Sequence, residues 1–204
     1  AWRAPDPRWL ANALVDRHAY VTALAAREAD PIHPLRLGRA VQDCLPADAI
    51  VVADGADIAT WMYGVLRIRT APGFLDHYPL GAMGVGTPLA VGAAAAARDL
   101  AETAGDERPV VLVTGDGSIG FHPAELHAAA LARLPLVVVI GNDDAWGVEL
   151  HTQRRALGRD VNTALGALPY EHLGPAFGGR GHRVDRVADL DATLARAFAE
   201  ARRE

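Results

Sequence analysis

The sequence predicts an α/β protein: an open, mostly parallel sheet with helices on both faces, three layers in all. Three observations carry that prediction. Two apolar runs of strand length, residues 110–113 and 136–140, bracket an Ala- and Leu-rich helical segment and so form a βαβ unit. Both runs are apolar throughout rather than alternating, which implies a sheet covered on both faces. Each run ends in polar residues, Gly115-Asp116-Gly117-Ser118 after the first and Asn142-Asp143-Asp144 after the second. That is the edge at which open α/β sheets bind ligands.

In chain order, Pro5 and Pro7 predict an extended start. A loose helical pattern follows through Trp9, Leu10, Leu14, Val15, Tyr20, Val21 and Leu24 to about Glu28. Asp30-Pro31-Ile32-His33-Pro34 breaks it. Residues 1–33 are therefore expected to be a linker or approach helix from an absent upstream domain, and residues 34–204 the α/β domain. Apolar spacing is helical over 35–45, and 49–53 (AIVVA) read as a short buried strand. The turn Asp54-Gly55-Ala56-Asp57 leads into a helix over 57–65; residues 67–70 are too short to assign. Residues 74–86, FLDHYPLGAMGVG, place glycines at 81, 84 and 86, where backbone can crowd a ligand. A long helix follows over 87–101. The helix inside the βαβ unit is expected to run to about Arg133. Residues 154–168 are polar and broken by glycine, a loop and lid over the site. Residues 170–177 predict a helix, 181–184 a short strand, and 189–201 a helix with Asp189 as N-cap.

Composition narrows the function. With 204 residues, half of them hydrophobic, there is room for one large α/β domain plus a short appendage. Net charge is −5 and no basic stretch alternates with aromatics, so nucleic acid is not an expected partner. All basic residues other than His are Arg. The single Cys44 excludes an internal disulfide or a Cys-based metal cluster. No apolar run reaches transmembrane length and there is no signal-like start. The expectation is a cytoplasmic protein with no membrane partner.

The two polar strand ends suggest a chemistry. Glycines on either side of Asp116 let backbone N–H groups approach an anion. The Asp116 carboxylate cannot itself hold phosphate; a hard, oxygen-liganded cation such as Mg²⁺ must lie between them. The second strand end supplies the Asp143 carboxylate and the Asn142 amide. Asp116 and Asp143 lie 27 positions apart, a spacing suited to ends of neighbouring strands. A Mg²⁺-diphosphate site at a switch point is the local reading.

The combination of GDGS, this interval, Asn-Asp and the strand-helix-strand context resembles the cofactor signature of thiamine-diphosphate (ThDP) enzymes. That family usually carries Asn-Asn where this chain has Asn142-Asp143. The resemblance covers roughly residues 34–203. It corresponds to the C-terminal, diphosphate-binding domain of the acetolactate synthase, benzaldehyde lyase and 2-oxo acid decarboxylase group, and implies the ThDP-binding fold with ThDP and Mg²⁺ as cofactors. By that resemblance Asp116, Asp143 and the Ala145 carbonyl are the metal ligands. Gly55, Ala56, Gly115, Gly117 and Ser118 lie at the diphosphate, with Asp57 as a further candidate. The Gly81 carbonyl and Met83 backbone face the aminopyrimidine, and the Met83 side chain props the cofactor in its bent shape. Trp146, Gly147 and Val148 run beside the thiazolium. His77, four residues before Gly81, matches a substrate-facing His of benzaldehyde lyase and is a candidate proton relay. Glu149 matches a position where some decarboxylases carry an acid; a solvated helix residue is the alternative. His151 and Gln153 are candidates for the entrance, while His18, His33, His122 and His127 are expected at the surface.

The resemblance also implies a partner. These enzymes place ThDP between two domains, and the pyrimidine-binding one supplies a Glu that makes the 4′-imino group basic. That Glu is expected from a separate subunit or from a missing N-terminal part, in a homo- or hetero-oligomer acting on a small carbonyl or 2-oxo acid substrate. The expected function is half of a lyase, carboligase or decarboxylase; the alternative is a non-catalytic assembly or regulatory subunit that keeps the fold.

Overall fold

The computed structural model describes residues 7–105 and 108–201. Pro5 lies outside the described residues, as do the side chains of Trp9, Leu10, Leu14 and Val15. Four parallel strands form one sheet: β1 (Ile50–Ala53), β2 (Phe74–Asp76), β3 (Val110–Gly115) and β4 (Leu136–Gly141), in the order β2-β1-β3-β4. The register runs without a break from Val110 opposite Leu136 to Gly115 opposite Gly141. The helices are α1 (Pro7–Ala25), α2 (Pro34–Cys44), α3 (Ala56–Val65), α4 (Gly86–Ala104), α5 (Asp116–Ile119), α6 (Glu125–Leu131), α7 (Gly147–Leu157), α8 (Leu173–Ala176) and α9 (Val187–Ala201). A 3-10 turn at Tyr170–His172 precedes α8. Among the described residues, no helix is long and apolar enough to cross a membrane.

Alternation along the strands builds two cores. Val51, Val111, Val113, Val137 and Val139 point to one face, against Val41 of α2, Ile58 and Met62 of α3, and Leu190, Leu194 and Phe198 of α9. Ile50, Val52, Val110 and Leu112 point to the other, against Ala90, Ala94 and Ala97 of α4 and Ala129 of α6. Side chains this small let α4 lie close to the sheet. The predicted three-layer arrangement is therefore the observed one. The chain leaves β1 toward β2 on one side and returns to β3 on the other, so the sheet's switch point lies between the ends of β1 and β3.

Several boundaries differ from expectation. Pro7 opens α1 rather than extending the chain, a position that costs Pro nothing because its missing N–H would be unpaired there. The stretch 74–86 contains an edge strand, β2, ahead of its glycine loop. The single helix expected up to Arg133 is two, α5 and α6, separated by a segment holding Gly120 and Pro123. Helix α7 runs into the expected loop and stops at Gly158, which takes the left-handed conformation (φ 69°). Residues 170–177 form the 3-10 turn and the one-turn α8 instead of a continuous helix. Residues 181–184 form no strand: the backbone of Gly181 lies against the Glu171 carbonyl rather than on the edge of β4. Helix α9 begins at Val187, not at an Asp189 cap; the Val187 N–H donates instead to Asp30 Oδ1 at 2.7 Å.

Candidate functional site

The site assembles at the switch point. Strand β3 ends at Gly115 and the chain turns directly into α5. Asp116 is 4% exposed. Its Oδ1 accepts the Gly117 N–H at 2.9 Å, while its Oδ2 is buried with no partner. The Ser118 hydroxyl is likewise buried and unpartnered. From the end of β1, Gly55 (φ +89°) leans against this turn: a Cβ there would stand 3.1 Å from Ser118 Oγ and 3.2 Å from the Gly115 nitrogen. Glycine is what leaves that space open.

Strand β4 brings the second carboxyl. Asn142 Nδ2 donates to Asp144 Oδ1 at 2.9 Å, and the Asp144 N–H donates to Asn142 Oδ1 at 3.3 Å. This Asx turn holds Asp144 at φ 57° and aims the Ala145 N–H at both Asp116 and Asp143, which pulls the pKa of each carboxyl down. The opposing effects win. Burial first, and then the nearby Asp143 charge, push Asp116 up to about 6. Burial, followed by the Asp57 charge, raises Asp143. The site thus gathers acidic groups that repel one another. At the start of α7, a Cβ on Gly147 would collide with Asp143 Oδ2 and come within 2.9 Å of Asp57 Oδ2. Among the described residues no three His, Cys, Asp or Glu side chains converge on a metal position. A metal here would take Asp116, Asp143 and a backbone oxygen.

The glycine loop of 81–86 closes the other side. Phe121 packs on Gly84 (φ +86°), and His122 Nδ1 lies 3.0 Å from the Gly84 carbonyl. The Gly86 N–H donates to Asp54 Oδ2 at 2.8 Å. Trp146 lies over Gly117, where a Cβ would collide with its ring, and meets Phe121 edge-on with centroids 6.1 Å apart.

A cavity of about 770 Å³ is lined by every residue that the sequence places at the cofactor, the metal or the catalytic step except two. The exceptions are His77 and Gly81. Gly81 is exposed on the loop, and its N–H donates to the His77 carbonyl at 2.9 Å. The His77 ring does not line the cavity, as a substrate-facing His would. It is buried against the switch point, with Nδ1 3.8 Å from Asp54 Oδ1, and stacks on Tyr78. His151 and Gln153 also stay out of the lining, whereas Asp57 and Glu149 join it, Glu149 from the exposed first turn of α7. Sequence reasoning missed Asp54, Phe121 and Tyr170; the last lines the cavity near enough to Asp116 and Asp144 for their charges to help raise its hydroxyl pKa, after burial. It also missed the hydrogen bond of exposed His122. Only the Asp-Gly pairing at 54–55, parallel to that at 116–117, hinted at Asp54.

Residues 54–203 match the family model described as thiamine pyrophosphate enzyme, C-terminal TPP binding domain. A probable acetolactate synthase of Mycobacterium bovis is 32% identical over 170 residues, covering 83% of this chain and 30% of that protein. A 2-hydroxyacyl-CoA lyase 2 of Caenorhabditis elegans is 31% identical over 154 residues, 76% of this chain and 23% of that protein. The chain thus spans less than a third of the length of these relatives. Among solved structures, a thiamine diphosphate-dependent 4-hydroxybenzoylformate decarboxylase of Rhodococcus jostii superposes with a TM-score of 0.72 at 25% identity, covering 82% of this chain and 30% of that one. A benzoylformate decarboxylase of Polynucleobacter necessarius shares the fold, with a TM-score of 0.77 at 23% identity over 86% of this chain and 32% of that one.

Proposed function

This chain belongs to the thiamine pyrophosphate enzymes as their C-terminal TPP binding domain, and from that premise we propose that it is the diphosphate- and Mg²⁺-binding half of a ThDP-dependent C–C lyase, carboligase or 2-oxo acid decarboxylase. The observation that carries the reading is the pair of buried, unpartnered oxygens, Asp116 Oδ2 and Ser118 Oγ, beside the open face of Gly55. Buried polar atoms without protein partners are uncommon in folded proteins and are met by water, an ion or a ligand. A scaffold with no cofactor requires neither.

In this reading Asp116, Asp143 and the Ala145 carbonyl hold Mg²⁺, whose charge offsets the burial and, after it, the repulsion that raise both carboxyls. The turns at Gly55-Ala56 and at Gly115-Gly117, with the Ser118 hydroxyl, take the diphosphate; the Gly55 and Gly117 N–H groups already donate to Asp54 and Asp116, so these glycines serve by letting backbone approach closely. Met83, which lines the cavity, serves the aminopyrimidine, as does the Gly81 carbonyl once the pyrimidine domain covers its exposed loop. Trp146, Gly147 and Val148 wall the thiazolium side and exclude water. When bound, ThDP supplies a thiazolium that adds to a substrate carbonyl and takes up the electron pair of the C–C bond that breaks. Glu149, exposed at the start of α7, is the candidate to move a proton at the substrate. His77 holds such a role only if its ring leaves the contact with Asp54. The activating Glu comes from a pyrimidine-binding domain, in another subunit or another part of a longer chain, within a homo- or hetero-oligomer. Residues 1–33 are the approach to the domain, the substrate is a small carbonyl compound or 2-oxo acid, and the setting is cytoplasmic.

The test is a calorimetric titration of ThDP with Mg²⁺ into the wild type and Asp116→Ala, each together with its complementing pyrimidine domain. Mg²⁺-dependent binding is expected for the wild type and loss of it for the variant. Equal binding by both would overturn the metal assignment.

A further inference from the structure

We propose that Asp54 is a positioning residue that joins the diphosphate turn to the Met83 loop, so that one buried carboxyl sets both halves of the cofactor cradle. The proposal rests on the ThDP reading for its consequence and on geometry alone for the coupling. Asp54 is 0% exposed, at the end of β1 and next to the switch point. A carboxyl so placed is costly unless its oxygens find donors. Each does, and the two donors belong to different elements. Oδ1 accepts the Gly55 N–H at 2.7 Å, and Oδ2 accepts the Gly86 N–H at 2.8 Å.

Gly55 carries the positive φ of the diphosphate turn, and its α-carbon leans on Ser118 and Gly115. Gly86 is the first residue of α4, so its N–H is one of those a helix leaves unpaired. It also closes the loop on which Met83 reaches the cavity. Residues 55 and 86 are separated by α3 and β2, yet they are held through one side chain. There is no slack in the arrangement: a Cβ on Gly86 would run into the Asp54 side chain, within 2.8 Å of Oδ2. The His77 ring closes the remaining side, its Nδ1 otherwise unpartnered and 3.8 Å from Oδ1. Phe121 and His122 grip the same loop at Gly84. Asp54 is thus the element of this clasp that reaches back to the diphosphate turn.

Amide hydrogen exchange on the full chain without ligand tests the coupling, with Leu112 of the central strand reporting the global fold. In Asp54→Ala the amides of Gly55 and Gly86 are expected to lose protection together while Leu112 keeps its own. Asp54→Asn retains one acceptor oxygen and should protect one of the two amides, not both. Gly86→Ala leaves the carboxyl in the protein but displaces it, and protection at Gly55 should fall; this variant decides the matter if the Asp54 substitutions fail to fold. In the complex with its pyrimidine domain, Gly86→Ala should bind Mg²⁺ and ThDP about tenfold more weakly, the cost of roughly one hydrogen bond. Unchanged Gly55 protection in Gly86→Ala, or wild-type affinity in that variant, overturns the proposal. If the wild type itself fails to bind ThDP, the functional reading falls, and the exchange measurements still decide whether Asp54 couples the two segments.

Discussion

At the scale of single residues, Asp116 trades stability for a binding site. Its carboxyl is pushed from 3.8 to about 6, by burial first. Between those pH values the folded chain holds a proton that the unfolded chain has released. The contribution of Asp116 to stability is therefore greatest below about pH 4 and falls as pH rises through 6. The loss above that point is at most about 3 kcal/mol, from a shift of about two units. Asp191 works the other way: the Arg36 guanidinium holds it below the usual range, so its contribution is lost in acid. The prediction is accordingly a difference between proteins. Without metal, Asp116→Asn should be more stable than the wild type at pH 8, with the gap about halved at pH 5, as read by denaturant unfolding at both pH values. A gap independent of pH would mean that Asp116 does not titrate as its burial demands. Asp116 and Asp143 were legible in the sequence because each sits at the end of an unmistakable strand. Asp54 as a two-way acceptor, and His77 turned inward toward it, were not, because both depend on where β1, β2 and the start of α4 meet.

At the scale of elements, α9 shows how local signals mislead. Its sequence offers Asp189 as a cap, yet the helix starts two residues earlier, because Asp30 reaches across from the segment before α2 to accept the Val187 N–H. The same two regions are joined again by Arg36, buried at the start of α2, which bonds Asp191 at 2.9 and 2.7 Å and Glu28 at 2.7 Å. Asp30→Ala should cost about 1 kcal/mol, as the loss of a helix cap does, and appear as a lower melting temperature with α9 amides exchanging first. If α9 kept its protection, the contact would be incidental. Elements buried on the sheet, α2, α3, α4, β1, β3 and β4, were legible to within a few residues, since their apolar pattern and their burial have the same cause. The failures lie at the margins. Edge strand β2 is three residues long. Residues 181–184 look like a strand locally, but Gly178, Gly179 and Gly181 let the backbone fold against Glu171 and Gly174.

At the scale of the whole molecule, the open question is what lies over the cofactor edge. There the loop after β2 exposes Tyr78 at 61% and Leu80 at 91%, and Phe121, packed on the same loop at Gly84, is 55% exposed. Apolar groups exposed on one loop and on the ring packed against it fit a surface that a partner covers. If that partner is the pyrimidine domain, as proposed, the chain by itself should show neither decarboxylation nor acyloin formation, because the group that makes the cofactor basic is not in it. Leu80 gives the more discriminating experiment. Its side chain touches solvent almost everywhere, so Leu80→Glu should change the stability of the isolated chain by no more than about 0.5 kcal/mol. In the interface the same charge would lose its water without a counter-ion, a penalty of several kcal/mol. Sedimentation of the chain mixed with its pyrimidine domain should then show a complex for the wild type and little for the variant, with turnover falling in parallel. A variant that still assembles and turns over normally would put the partner on another face of the sheet, and would leave Tyr78, Leu80 and Phe121 as a substrate entrance instead.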